Sequence, residues 1–116
     1  MTKIIITSFY GSIIIENETV AIYTTEEKIC DEKGNIVKVG DPAELHVADL
    51  VFETEKQRFI FPNLYLGLDC LLEINNLLES FYHNEQDKIF INVNKLCDFV
   101  DVELIGSKSI VVENKN

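Results

Sequence analysis

The chain has 116 residues, of which 47% are hydrophobic and 26% charged, so it is long enough for one globular domain with a real core and too short for two ordinary ones. Twenty acidic residues against ten basic ones give a formal net charge of −10 at pH 7, which disfavours binding to nucleic acid or to anionic membrane surfaces and favours a basic partner. The single arginine, Arg58, argues against an anionic substrate, because sites for such substrates usually use the bidentate fork of arginine.

The front half of the chain is predicted to be rich in strands. The segments "KIIITSF" and "SIIIE" are β-branched runs separated by Tyr10-Gly11. Their isoleucine triplets do not alternate with polar residues, so we expect strands that are central in a sheet or buried on both faces. Asn17-Glu18 is predicted to be a two-residue turn that leads into a strand at "TVAIYTT", because asparagine tolerates positive φ.

Two hairpins are predicted next. The sequence "DEKG" between "EKIC" and "NIVKV" fits a type I turn followed by a glycine in the left-handed conformation. The segments "HVADLVFE" and "QRFIF" flank Thr54-Glu55-Lys56 in the same way, and Pro62-Asn63 is expected to end this second hairpin. The stretch "DPAELHVADL" could also form a short helical turn.

One main helix is predicted within "LGLDCLLEINNLLESFYHN". Its apolar residues recur at helical spacing, which indicates a core-facing stripe made of Leu71, Ile74, Leu78 and Phe81, with Leu77 and Tyr82 beside them. The polar residues of the opposite face are Asp69, Glu73, Asn76, Ser80 and His83.

Three further strands are predicted after the helix, at "KIFINV", "FVDVELI" and "SIVVE". No linker, internal repeat or low-complexity tract interrupts the chain, which indicates a single domain over residues 1–116. An order of strands, one helix and then strands again is typical of α+β proteins. We therefore predict a mostly antiparallel, twisted sheet with one main helix packed on it.

No recognisable motif for catalysis or metal binding is present. The loop "DEKGN" has adjacent acids, an early glycine and no closing glutamate, unlike an EF-hand. No two of the cysteines and histidines have zinc-ligand spacing, and there is no G-x-S-x-G motif or glycine-rich phosphate loop. His46 and His83 are expected to be surface or capping residues. We expect no enzymatic activity, no cofactor and no metal.

The cysteines and the first residues favour a cytoplasmic protein. Cys30, Cys70 and Cys97 are odd in number and widely spaced, so a disulfide framework is not expected. The apolar run in "MTKIIITSFYG" is shorter than a signal peptide or membrane span needs.

Two acidic clusters are candidate binding surfaces. The first, at the predicted "DEKG" hairpin, consists of Glu26, Glu27, Asp31 and Glu32. The second lies in "CDFVDVE", where strand alternation directs Val100, Val102 and Leu104 towards the core. The opposite face then carries Phe99, Asp101 and Glu103, with Asp98 beside them. Acids around an aromatic side chain suit a basic partner, whereas the plainer interpretation is a solvated face with Phe99 covered by a loop.

Small size, strong acidity, a twisted sheet with a helix and no catalytic motif together resemble the bacterial immunity proteins that neutralise contact-dependent or other polymorphic toxins. The resemblance is one of overall character across the whole chain. It implies a cognate toxin, often a basic nuclease, whose active-site cleft is covered by an acidic surface. The candidate toxin-binding residues are then Glu26, Glu27, Asp31, Glu32, Asp98, Phe99, Asp101 and Glu103.

Two other functions are compatible with the sequence. The first is a non-enzymatic regulatory or assembly module whose exposed strand edge pairs with a second copy. The second is a small-ligand pocket inside a curled sheet, which would be lined by Phe9, Tyr10, Tyr23 and Phe90.

We expect that replacing both Asp101 and Glu103 by lysine leaves folding intact but weakens partner binding and slows association. Circular dichroism and binding kinetics at two salt concentrations check this. Unchanged affinity of the doubly reversed variant would remove this surface from consideration.

Overall fold

The protein is an α+β fold with antiparallel-dominated sheets and one main helix, as predicted. The structure, a computed structural model, describes residues 2–31, 33, 35–65, 68–96 and 109–115, with only the backbone considered over residues 63–65 and 68–70. Within these ranges the elements are β1 Lys3–Ser8, β2 Gly11–Glu16, β3 Ala21–Thr24, β4 Lys28–Cys30, β5 Leu45–Glu53, β6 Gln57–Tyr65, α1 Leu68–His83, β7 Lys88–Asn92, α2 Val93–Leu96 and β8 Val111–Asn114.

The first sheet contains three of these strands in the order β2-β1-β7. The central strand β1 runs antiparallel to β2 and parallel to β7. Ile4 and Ile6 of β1 are buried, so the prediction of a central strand is confirmed for "KIIITSF". For "SIIIE" that prediction is wrong, because β2 lies at the edge of this sheet and Ile14 is 57% exposed. Isoleucine content alone does not reveal how many neighbours a strand has.

The second sheet contains five strands, in the order β3-β5-β6-β8 with β4 also paired to β5. The predicted hairpin between β5 and β6 is confirmed, and Thr54 closes its turn. The Thr54 amide donates to the carbonyl of Gln57, and the Thr54 hydroxyl accepts hydrogen bonds from the amides of Lys56 and Gln57. The side chain of Thr54 thereby satisfies backbone donors that the tight turn would otherwise leave unpaired.

The prediction that Pro62-Asn63 ends this hairpin is wrong, because β6 continues through both residues to Tyr65. The pairing shifts between Leu50, opposite Phe61, and Ala48, opposite Leu64, so two residues of β6 face the single Asp49 of β5. This is a β-bulge, where a proline is tolerated because the ladder hydrogen bond that it cannot donate is already interrupted.

The carbonyl of Pro62 also receives a hydrogen bond from the first sheet. The Tyr10 hydroxyl, which follows β1, donates to this oxygen at 2.7 Å. Burial, with a smaller contribution from the negative charge of Asp49, raises the pKa of Tyr10 to about 12. The phenol therefore stays protonated and connects the two sheets across the bulge.

Three shorter segments depart from the sequence predictions in detail. Asn17 has the expected positive φ of 56°, but it leads from β2 into the second sheet instead of closing a hairpin. Of "NIVKV", only Ile36 forms a bridge, with Cys30. Residues 41–44 form a turn and not a helix, with the amide of Glu44 donating to the carbonyl of Asp41.

One core joins both sheets and α1. The predicted helical stripe is confirmed for Ile74, Leu78 and Phe81, all less than 5% exposed, but not for Leu77 and Tyr82, which are each 37% exposed. The buried side chains of this core are Ile4, Ile6, Ile15, Val20, Leu50, Phe52, Phe59, Phe61, Ile74, Leu78, Phe81, Ile91 and Val93. The predicted strands at "KIFINV" and "SIVVE" are present as β7 and β8, and "FVDVELI" lies outside the described residues.

Two substitutions on α1 separate its core face from its outer face. Replacing the fully buried Ile74 by alanine is expected to lower the free energy of unfolding by about 2–5 kcal/mol, because it leaves a cavity between the helix and the sheets. Replacing Leu72, which is 60% exposed, by alanine is expected to cost less than about 0.5 kcal/mol. Urea unfolding of both variants measures the difference, and equal losses would contradict the assigned helix orientation.

Candidate protein-binding surfaces

The first predicted acidic cluster lies around β4, next to the beginning of β5. Glu26 and Glu27 precede β4 and are exposed, and Asp31 follows it directly. Lys28, Lys33 and Lys38 fall in the same stretch of the chain. These lysines offset part of the negative charge, so the cluster is a mixed surface and not a purely acidic one.

Asp31 has a structural role in this cluster. Its carboxylate accepts hydrogen bonds from the backbone amides of Lys33 and Asn35, each at 2.9 Å, and a further one from the Asn35 side chain. The hydrogen bond from the Asn35 backbone is the main reason that the pKa of Asp31 lies below its ordinary value. Asp31 therefore organises the turn after β4, as aspartate commonly does in Asx turns.

Glu27 also has a partner within the chain. The Nδ1 atom of His46, at the start of β5, is hydrogen-bonded to the Glu27 carboxylate, and Nε2 of the same ring lies 3.6 Å from a carboxylate oxygen of Glu44. The hydrogen bond to Glu27 is the main reason that the pKa of His46 is raised. The prediction of a surface histidine is confirmed, since the His46 side chain is 42% exposed, and it connects the segment before β4 to β5.

The outer face of α1 forms a second acidic surface. The sequence predicts this face only as the solvent side of a core helix. Here Glu73, Asn76 and Glu79 are exposed beside Leu72, which is 60% exposed. In the described part of the chain, neither glutamate has an ion-pair partner. We refer to Leu72, Glu73, Asn76 and Glu79 as the α1 outer face.

The sequence contains a signal for this surface. From Phe59 to Asp87 there is no lysine or arginine, while the same stretch contains Asp69, Glu73, Glu79, Glu85 and Asp87. An ordinary surface helix usually alternates charges of both signs at spacings of three and four residues. The lack of any lysine or arginine along α1 is therefore unusual for a solvated helix.

Five of the predicted site residues belong to neither of these two surfaces as the structure describes them. Glu32, Asp98, Phe99, Asp101 and Glu103 lie outside the described residues. The binding role assigned to them stays a prediction from the sequence.

The four aromatic residues predicted to line a ligand pocket have different surroundings. Phe9 and Phe90 are 86% and 67% exposed, and the Tyr23 hydroxyl donates to Glu53 in the second sheet. A cleft of about 220 Å³ beside Phe9 is lined by Thr7, Ser8, Phe9, Asn92 and Asn94. Of the four predicted aromatics, only Phe9 borders this cleft, so the lining expected from the sequence does not assemble there.

Cys30 is buried as a free thiol, and burial is the main reason that its pKa is raised. Across the residues that the structure describes, no three His, Cys, Asp or Glu side chains are grouped so as to hold a metal ion. The helices found in those residues are too short or too polar to cross a membrane.

Comparisons of the chain with protein-family models, curated proteins and solved structures give no match.

The Glu27–His46 contact predicts a specific pH dependence. The folded-state pKa of His46 is raised, so the Glu27–His46 contact stabilises the folded state fully at pH values below the unfolded pKa of about 6.5. This stabilisation is lost as the pH rises through the folded-state pKa. We therefore expect His46→Gln to lower the melting temperature at about pH 5.5 and to change it little at about pH 8.5. Thermal unfolding of both proteins at the two pH values measures this. A difference in melting temperature that is the same at both pH values would contradict this role of His46. The variant Glu27→Gln should also melt at a lower temperature than the wild type at about pH 5.5.

Proposed function

We propose that this protein is an immunity protein that binds a cognate basic toxin, of the nuclease type, and covers its active site without catalysing a reaction. The observation that carries the proposal is the α1 outer face, where an exposed leucine and two exposed glutamates occur together and neither glutamate has an ion-pair partner among the described residues. A nuclease must attract phosphates, so its cleft is positively charged. An acidic protein surface is attracted by the same field.

The chemistry of the α1 outer face suits such a partner. Leu72 offers apolar area for a contact, and the exposed Glu73 and Glu79 follow it along the helix. Lysine or arginine side chains of a partner could pair with these glutamates without first displacing a basic residue of this chain. Long-range attraction would then raise the association rate, while the apolar contact would lower the dissociation rate.

The α1 outer face is also held rigidly. Ile74, Leu78 and Phe81 fix the opposite side of the helix in the core. Near the end of α1, the Tyr82 hydroxyl accepts a hydrogen bond from the amide of Val20 at 3.1 Å. A surface on an element that is already ordered loses little conformational entropy on binding, which favours tight association.

The cluster around β4 provides a second region for contact with the same partner. Glu26 is exposed there, whereas Glu27 and Asp31 are engaged with His46 and with the turn. Binding through Glu27 would therefore have to compete with an internal contact, and we assign this cluster a smaller contribution than the α1 outer face. The mechanism is stoichiometric occlusion, in which one molecule blocks one toxin.

Charge reversal on α1 tests the proposal. We expect the double variant Glu73→Lys, Glu79→Lys to fold normally and to associate with a basic toxin domain about tenfold more slowly at low salt, because steering by the negative field is lost. The toxin domain would be sought in the gene next to that of this chain. Protection is measured as growth of cells that express both proteins, and association is measured with the purified pair at two salt concentrations.

The matched control is Glu55→Lys with Glu113→Lys, which changes the net charge equally at exposed positions outside α1. This control should retain both protection and most of the association rate. Equal effects of the two double variants would show that overall charge matters and that the α1 outer face does not. A wild-type chain that neither binds nor inhibits the toxin domain would overturn the proposed function itself.

A further inference from the structure

We propose that the edge of β2 that no described strand covers pairs with β2 of a second copy, in an antiparallel arrangement about a twofold axis at Ile14. The interaction would extend the three-stranded sheet of each copy into a continuous six-stranded sheet. It goes beyond the proposed function, because it concerns a different surface and a different partner.

The β2 edge has few of the features that usually protect an edge strand, and Glu16 at its end is its one charged residue. Its sequence "GSIIIE" contains no lysine and no proline, and its six residues pair with β1 in unbroken register without a bulge. Among the described strands, only β1 pairs with β2, and four of the six β2 residues are exposed. A regular, isoleucine-rich edge that the described part of the chain leaves unpaired is a template for another strand.

The hydrogen bonds to β1 identify which backbone groups point away from the sheet. The Asn17 amide donates to the carbonyl of Thr2 at 3.0 Å, so Asn17 is a hydrogen-bonded position of the β1–β2 ladder. Such positions alternate along an antiparallel pair, which places Ile15 and Ile13 in the same set. The amide and carbonyl groups of the alternate residues therefore face the open edge, and these residues are Ser12, Ile14 and Glu16.

A twofold axis at Ile14 uses all of these outward groups. It places Ile14 opposite Ile14 of the second copy, and Ser12 opposite Glu16 of the second copy on each side of the axis. Each of the three residue pairs can exchange two backbone hydrogen bonds, giving about six in total. An axis at Ile13 or Ile15 would leave one of the three outward-facing residues unpaired.

The side chains are self-complementary in the same register. On the outer face of the sheet, Ile14 lies beside Ile5, which lies beside Phe90 of β7. Ile14 and Phe90 are 57% and 67% exposed, so this row is apolar and largely open to solvent. In the dimer the apolar rows of the two copies would meet at the axis through Ile14. Each Glu16 carboxylate would face the Ser12 hydroxyl of the other copy and not a second acid.

The net charge of −10 on each copy opposes this association. We therefore expect dimerisation to strengthen as salt screens the repulsion, which is the opposite of the salt effect expected for binding a basic toxin. The α1 outer face lies on another side of the fold, since α1 shares the core with Ile4 and Ile6 of β1, whereas Ile14 lies on the opposite face of that sheet. Loss of the dimer would thus leave the proposed toxin contact intact, and the two proposals can fail separately.

Sedimentation velocity of the full chain over a wide concentration range, at low and high salt, tests the dimer. The wild type should dimerise, and more tightly at high salt. Ile14→Lys should raise the dissociation constant about tenfold or more, because it removes the apolar contact and places two like charges at the axis. The control Ile36→Lys introduces the same residue at a position that is 90% exposed and lies outside β2, and it should dimerise at least as well as the wild type.

A second variant tests the register by strengthening the dimer. Ser12→Lys would place a lysine opposite Glu16 of the second copy at both ends of the interface, and it should lower the dissociation constant severalfold relative to Ile36→Lys. Circular dichroism verifies that each variant is folded. A wild-type chain that stays monomeric at high concentration and high salt overturns the proposal. A dimer whose dissociation constant is unchanged by Ile14→Lys also overturns the proposal. A dimer that Ser12→Lys weakens overturns the proposed register.

Discussion

The fold depends on an apolar core to which the first sheet, the second sheet and α1 each contribute buried side chains. In β1 the period of two sends Ile4 and Ile6 into the core and Ile5 to the opposite side of the sheet. In α1 the period of 3.6 does the same for Ile74 and Leu78. Because β2 and α1 are each fixed to this core by one face, their other faces, which carry Ile14 and Leu72, are presented to solvent in a defined orientation. Both candidate interaction surfaces follow from this constraint.

The two surfaces differ in the forces that they offer. The α1 outer face presents Glu73 and Glu79 with an apolar contact at Leu72, so long-range attraction would bring a basic partner to it. The β2 edge presents backbone hydrogen-bonding groups and Ile14, so only a strand in the correct register can satisfy it. Salt acts in opposite directions on the two, which makes ionic strength an effective means of telling them apart.

The predicted acidic cluster shows why residue type alone is a weak guide to a binding site. Asp31 holds a turn through hydrogen bonds to backbone amides, and Glu27 binds His46 from a strand that begins 18 residues later in the chain. Neither role can be inferred from the letters "EEKICDE". The acidic residues of α1, by contrast, lie in a long interval without lysine or arginine that the sequence shows directly, and the structure adds that Glu73 and Glu79 are exposed.

The sequence by itself determined the elements whose signals are local: α1, from its apolar period, and the β5–β6 hairpin, from two strand-like segments around Thr54. Only the tertiary structure decided that β2 lies at an edge, that Asn17 leads to a second sheet and that Pro62 sits in a bulge. The reason is physical. Periodicity reports which face of a segment is buried, whereas neighbour number and register arise from backbone pairing between segments that are distant in the chain.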